Sequence, residues 1–378
     1  MSEELHENPE YPPELPTRRV LDHGFVALVE SMGGDHSIVQ AARVSYGKGT
    51  KKVSTDKALI SYLIRHRHTT PLEMVEFKFL MRMPVFIARQ VVRHRMVSIN
   101  EYSARYSIVP DRFWVPSLGA IAEQDAVNRQ GRSDQVRELA GTLPERTRPP
   151  VPCSFLSGET AILVAPDGRG ISRRGLLEPA HRDAFAPSWS EGKTAAGMTP
   201  TENYVYWVEQ LLHFFPERKA KLEAIREVYA EQNRRSYALY EQLLAGGVAR
   251  EIARCVLPLS MYTEWYWKID LHNLMHFLKL RMDPHAQLEV RAYGEAAATF
   301  VKEVCPMAWE AFENEVLTGT LVSGAELRVL RPEEETAQRE VLTELYELGY
   351  RERRLKETCR KLGIDERLVD ELWPPRKP

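Results

Sequence analysis

Leu59, Ile60, Leu63 and Ile64 recur at helical spacing and predict a helix over 54–66. Residues 76–83 alternate instead. Phe77, Phe79, Met81 and Met83 fall on one side, Glu76, Lys78 and Arg82 on the other, which predicts a strand with one buried face. Only Leu80 breaks that alternation. Pro84 suits the first turn of a following helix, where its missing amide removes no bond. Val85, Ala88 and Val92 would form the apolar stripe of that helix. Arg89 and Arg93 stand one turn apart beside the stripe, and Gln90 and His94 form a parallel row. Past Arg95 the chain is expected to leave the helix for a serine-rich loop.

Further along, Tyr204–Phe215 and Glu217–Leu244 carry helical pattern, and Gly246-Gly247 break the second stretch. A helix through Arg250 and Arg254 should end at Pro258. Asp270 is placed to cap a helix whose core stripe is Leu271, Leu274 and Leu278. That helix should stop near Met282, with Asp283-Pro284 starting the next, which runs to about Cys305. Residues 134–199 hold Pro149-Pro150, many glycines and no sustained period beyond a short strand-like Thr160–Val164. So long an irregular stretch predicts an insertion or long loop. Residues 1–17 read as a flexible tail, 18–318 as the main domain, and 319–378 as a helical C-terminal extension.

Composition narrows the function. Lys and Arg total 51 against 53 Asp and Glu, a formal charge of −2, so no basic surface for nucleic acid is implied overall. No apolar run approaches the ~20 residues of a membrane span, and the polar N-terminus lacks a signal-type apolar core, so a cytoplasmic protein is expected. Cys153, Cys255, Cys305 and Cys359 are scattered without a Cys-x-x-Cys pair, against a structural zinc site or a disulfide framework. His66 with His68, and His272 with His276, have spacings that can bind zinc. The helical pair lacks the glutamate of a hydrolytic site, and no metal is expected.

Against that neutral background, residues 93–107 concentrate Arg93, His94, Arg95 and Arg105 with Ser98, Asn100, Glu101 and Ser103. Guanidinium forks and short hydroxyl donors suit a small anionic heterocycle bearing phosphate. Ser98 followed by Glu101 also fits a helix capping box. Arg93-His94-Arg95, seven residues and Ser103 resemble the signature of flavin-dependent thymidylate synthases. His68-x-Thr70-Pro71-x-Glu73, Ala88-Arg89-Gln90, Arg254-x-Val256-Leu257-Pro258, His276-Phe277-Leu278-x-Leu280-Arg281 and His285-Ala286-Gln287 follow the family in order. They account for about residues 19–133 and 200–318.

The resemblance implies an α+β fold, a central twisted and mainly antiparallel sheet flanked by helices. It implies reductive methylation of dUMP to dTMP, with methylenetetrahydrofolate as carbon donor and NADPH as reductant through FAD. Family members are homotetramers with active sites at subunit contacts. Carried over by position, Arg281 activates the uracil, and Gln90, Arg93, Glu101, Tyr102, Ser103, Ala104, Arg105 and Arg254 bind dUMP. Family members often have glycine at the place of Ala104. Thr70, Arg93, His94, Arg95, Glu101, Asp270, Leu271, His272 and His276 would hold FAD. Asp270 and His276 stand where some relatives carry asparagine. His68 fits either the flavin edge or a satisfied core position. The cysteines are read as lying clear of the motifs, in keeping with the flavin route rather than a cysteine nucleophile. Two other classes fit the same residues: a single-stranded nucleic-acid binder using Tyr102 and Tyr106 among the arginines, and an inactive nucleotide sensor on this fold.

Overall fold

The alternation over 76–83 becomes the middle of a five-stranded antiparallel sheet. A computed structural model of the protein describes residues 12, 14–44, 55–124, 131–133, 135–142, 163–164, 170–171, 199–319, 334–347, 350, 352–362 and 364–372. Its strands are β1 (Thr17–Val20), β2 (Gly24–Met32), β3 (Glu76–Pro84), β4 (Ser98–Glu101), β5 (Leu163–Val164), β6 (Gly170–Ile171) and β7 (Tyr262–Asp270). The main sheet runs β1-β2-β3-β7-β4, while β5 and β6 pair only with each other. Its helices begin with α1 (Asp35–Val44), α2 (Asp56–Arg65), α3 (Val85–Val91), α4 (Gln135–Thr142) and α5 (Pro200–Leu212). They continue with α6 (Pro216–Ala245), α7 (Arg250–Ala253), α8 (Leu271–Arg281), α9 (Leu288–Val304) and α10 (Pro306–Phe312). The α+β architecture is that of the sequence expectation.

One face of the sheet carries the core. Phe77, Phe79, Met81 and Met83 of β3 are fully buried beside Trp265, Trp267 and Ile269 of β7. Leu271, Leu274, Phe277 and Leu278 of α8 and Tyr293, Ala297 and Phe300 of α9 close over them. Phe79 lies 6.1 Å from Trp267 and 5.9 Å from Phe300, and such aromatic contacts add about 0.5–1.5 kcal/mol each beyond area burial. Gly24 is required here, because a Cβ would fall 2.0 Å from the Tyr293 hydroxyl, which donates to the Arg82 carbonyl at 2.8 Å. The opposite face is held by cross-strand pairs, Lys78–Glu30 and Lys268–Glu76. Exposed pairs contribute little, so the buried face fixes the register.

Several local expectations change. Pro84 stays extended as the last residue of β3, so α3 begins one residue later and ends at Val91. Its buried residues are therefore Ile87, Ala88 and Val91, while Val92 lies past the helix end and is 39% exposed. Ser98 and Glu101 belong to β4, paired with Lys268 and Trp265 of β7, so they form no capping box. Asp283-Pro284 makes a turn rather than a helix start. The Asp283 carboxylate accepts from the His285 amide at 2.8 Å, which favours a turn, and α9 begins only at Leu288. Strand β7 has no counterpart in the sequence expectation, because Tyr262, Trp265, Tyr266 and Trp267 place aromatics on both faces and blur its alternation. Helix α4 is likewise new, within 134–199. Most of that segment, and most of the tail 1–17, lie outside the described residues.

The thirty-residue α6 buttresses the connection after β4. Tyr240 on α6 accepts from the Val109 amide at 3.1 Å, and Asn233 donates to the Trp114 carbonyl at 3.3 Å. The contacts divide the chain into Met1–Thr318 and Gly319–Pro378. The second unit holds α11 (Glu335–Glu347), α12 (Glu352–Leu362) and α13 (Arg367–Leu372) around Leu342, Leu355, Cys359, Leu368 and Val369. No helix among the described residues is long and apolar enough to cross a membrane.

Candidate active site

A helix leaves its last carbonyls without intrahelical donors. At the end of α3, Ala88 O accepts from Val92 N and Val91 O from His94 N. Gln90 O instead receives Nη2 of Arg281, at 3.1 Å, from the last turn of α8. The same guanidinium donates from Nε to His94 Nε2 at 3.1 Å. Nε2 must therefore be unprotonated, which leaves the ring proton on Nδ1. Burial first, then the Arg281 charge and His276, hold the His94 pKa down to about 4. His94 packs edge-on against Phe277 at 4.9 Å and His276 at 5.8 Å. Burial also lowers the Arg281 pKa. Its two partners are neutral, so the side chain keeps a positive charge that neither of them cancels.

Gln90 extends this neighbourhood, with its side-chain amide donating to Gln287 ahead of α9. Arg93 and Arg95 are exposed, and neither meets a carboxylate among the described residues. His272 is partly buried and His276 exposed, both on α8. Asp270 caps that helix. Oδ1 accepts from the Asn273 amide at 2.9 Å and Oδ2 from its side chain at 2.6 Å. Leu271 is buried, with its amide bonded to Val75 O at 2.8 Å. Thr70 is exposed where a short 3-10 turn starts, its carbonyl accepting from Glu73 N at 3.2 Å. His68 is exposed, 5.8 Å from Tyr62 in a stacked arrangement. The guanidiniums of Arg93 and Arg95 and the imidazoles of His272 and His276 are donors of the kind an anionic dinucleotide needs, so this set fits FAD.

A second neighbourhood surrounds the turn after β4. Glu101 accepts from the Thr263 hydroxyl at 2.7 Å, and the Tyr102 amide donates to Glu264 O at 2.8 Å. The Tyr102 hydroxyl donates to Ile108 O at 2.8 Å, and burial raises its pKa. Ser103 O accepts from Tyr106 N at 3.1 Å and closes the turn. Ala104 is buried against Val109, Tyr240 and Ala253. Arg105 pairs with Glu251 of α7 at 3.1 Å. Arg250, its neighbour, donates to the Tyr106 carbonyl at 2.6 Å. Arg254 opens the next turn, partly buried.

The sequence-derived residues thus gather as two groups in one chain, Gln90, His94, His276 and Arg281 in one, Ser103, Ala104, Arg105 and Arg254 in the other. No hydrogen bond or ion pair among the described residues joins them. The sequence assigns no site role to Arg250, Glu251 or Gln287, although Glu251 stands three residues before Arg254, on the short helix that precedes its turn. Cys255 corrects the expectation about cysteines: it lies inside the Arg254–Pro258 motif and is exposed, its thiol 3.6 Å from Glu251 O. No group of three or more His, Cys, Asp or Glu among the described residues could hold a metal ion.

A family model described as thymidylate synthase complementing protein matches residues 27–147 and 191–307. The unmatched 148–190 falls within the irregular segment. The flavin-dependent thymidylate synthase of Gluconobacter oxydans is 42% identical over 315 residues, covering 82% of this chain and 77% of that protein. Its counterpart in Thermus thermophilus is 40% identical over 349 residues, covering 91% and 94%. A UMP/dUMP methylase from Streptomyces cacaoi, solved with 5-Br dUMP, superposes with a TM-score of 0.50 at 25% identity, over 80% of this chain and 100% of that one. By sequence match over most of its length, the chain belongs to the flavin-dependent thymidylate synthase family.

Proposed function

We propose that this protein converts dUMP to dTMP in the cytoplasm by reductive methylation. Methylenetetrahydrofolate supplies the carbon, and NADPH supplies reducing equivalents through bound FAD. The active assembly is a homotetramer, with each site drawing on more than one chain. When bound, reduced flavin provides the hydride for the methyl group. Thr70, Arg93, His94, Arg95, Glu101, Asp270, Leu271, His272 and His276 would hold it.

The observation that carries this function is the Arg281 guanidinium, which meets no carboxylate among the described residues. Carbon 5 of a uracil ring is a poor nucleophile until negative charge on the ring is stabilised. A guanidinium whose two partners are the neutral Gln90 carbonyl and His94 ring can stabilise that charge, as an oxyanion hole does. Were a carboxylate its partner, the charge would already be cancelled. His94 plays a positioning part, because an acceptor at Nε2 fixes the plane of the fork. Ser103, the Ala104 backbone and Arg105 would take the phosphate, with Gln90, Arg93, Glu101, Tyr102 and Arg254 completing the nucleotide site. The exposure of Arg93 and Arg95 supports contact with a neighbouring subunit's ligand.

Purified protein should be yellow with bound FAD, and it should oxidise NADPH faster when dUMP is added. Protein that remains colourless after incubation with FAD, or whose NADPH oxidation ignores dUMP, contradicts the proposal.

A further inference from the structure

Arg105 meets a carboxylate in the place where the proposed function puts the substrate phosphate. Its Nη2 lies 3.1 Å from Oε2 of Glu251, and the two side chains are 56% and 50% exposed. The surrounding backbone is fixed independently of that pair. Arg250 holds the Tyr106 carbonyl at 2.6 Å, and Ala104 is buried against Ala253 and Tyr240. Turn and helix therefore stay docked if the Glu251 side chain rotates away.

We infer that Glu251 is a resident competitor for the 5′-phosphate of the substrate. Its carboxylate takes Nη2 of the Arg105 fork, and phosphate must displace it. This inference rests on the proposed function.

The chemistry favours exchange over permanent pairing. Carboxylate and phosphate both match the planar fork of arginine. A phosphate monoester carries about −1.5 to −2 at neutral pH, against −1 for the carboxylate, so it binds the guanidinium more strongly. An exposed pair of this kind contributes little stability and is easily broken. With phosphate seated, a carboxylate left beside the same nitrogen would face like charge at close range. Glu251 thereby sets a threshold that phosphorylated ligands alone have reason to cross. It is a specificity-determining residue and takes no part in the chemical step.

The test uses full-length, FAD-loaded protein as wild type, Glu251→Gln, Arg105→Ala and the double variant. Each is titrated with dUMP and with 2′-deoxyuridine, followed by the flavin absorbance and by calorimetry. Glu251→Gln is expected to bind dUMP about threefold to tenfold more tightly, on the order of 1 kcal/mol by the tenfold-per-1.4 kcal/mol conversion. Deoxyuridine affinity should not change, kcat should stay within about twofold, and the gain should vanish without Arg105. Glu251→Ala serves as a second variant and should move dUMP affinity the same way. Equal or weaker dUMP binding in both Glu251 variants overturns the inference, as does an equal gain for deoxyuridine. Wild-type protein that binds FAD and turns over dUMP while the variants show no gain leaves the proposed function standing. Wild type that binds no dUMP at all sinks both.

Discussion

At the residue scale, Arg281 combines two features that seldom occur together, partial burial and no acidic partner among the described residues. Ordinary structural arginines at a helix end contribute through the dipole alone and do not select a ligand. If the charge serves the reaction, Arg281→Ala should lower turnover by about 10²–10³-fold, the range for a lost oxyanion donor. Steady-state kinetics would check this, and turnover within a few-fold of wild type would reassign the activating residue. Arg281→Lys should not rescue, because an ammonium cannot donate to Gln90 O and His94 Nε2 as a rigid fork does.

His94 makes a second, separable prediction. Its pKa is depressed in the folded protein to about 4 from 6.5, so the unfolded chain binds the extra proton first. Its stabilising contribution is whole above pH 6.5 and is lost as pH falls from there towards 4. Wild type should therefore lose more of its urea midpoint between pH 7 and pH 5 than His94→Asn, in which that titration is missing. Parallel losses in the two proteins would contradict the depressed pKa. Motif order in the sequence singled out Gln90, His94, His276 and Arg281 in one neighbourhood and Ser103, Ala104, Arg105 and Arg254 in the other. It did not single out Glu251, because its significance depends on a side-chain contact across 146 positions of chain, from 105 to 251.

Among the elements, α8 bridges scaffold and site. Its N-terminus is capped by Asp270, the last residue of β7, and its C-terminus presents Arg281 to α3. Asp270→Ala removes the acceptor for Asn273 N and should cost about 1 kcal/mol, in the range ~0.5–2 for a lost cap. Asp270→Asn keeps a good capping oxygen and should stay close to wild type. Urea denaturation of the two variants decides this; equal losses would mean the carboxylate charge matters more than the cap. The helices around this bridge were readable because their apolar spacing is regular, as in Leu271, Leu274 and Leu278. Strand β3 was readable for the same reason. Strands β2, β4 and β7 were not. Phe25, Val26 and Ala27 are buried consecutively, β4 is only four residues long, and β7 carries aromatics on both faces. Each lacks a clean two-residue period, and only pairing across the sheet reveals it.

For the whole molecule, the central question is whether the two arginine neighbourhoods serve one ligand. Arg281 approaches α3 and Arg105 approaches α7 without a direct link among the described residues. A homotetramer resolves this if a nucleotide spans subunits, with its base at one neighbourhood and its phosphate at another. The core built on β3, β7, α8 and α9 carries the Arg281 neighbourhood, and a separate cluster of Ala104, Val109, Tyr240 and Ala253 carries the Arg105 turn. A crystal structure of the FAD-loaded protein with dUMP measures this most directly. The uracil should stack on the flavin with the Arg281 guanidinium at its ring carbonyl, and the phosphate should lie on Ser103 and Arg105 from the same or a neighbouring chain. A nucleotide bound away from Arg281, or an Arg281 remote from every Arg105 in the assembly, would contradict the account.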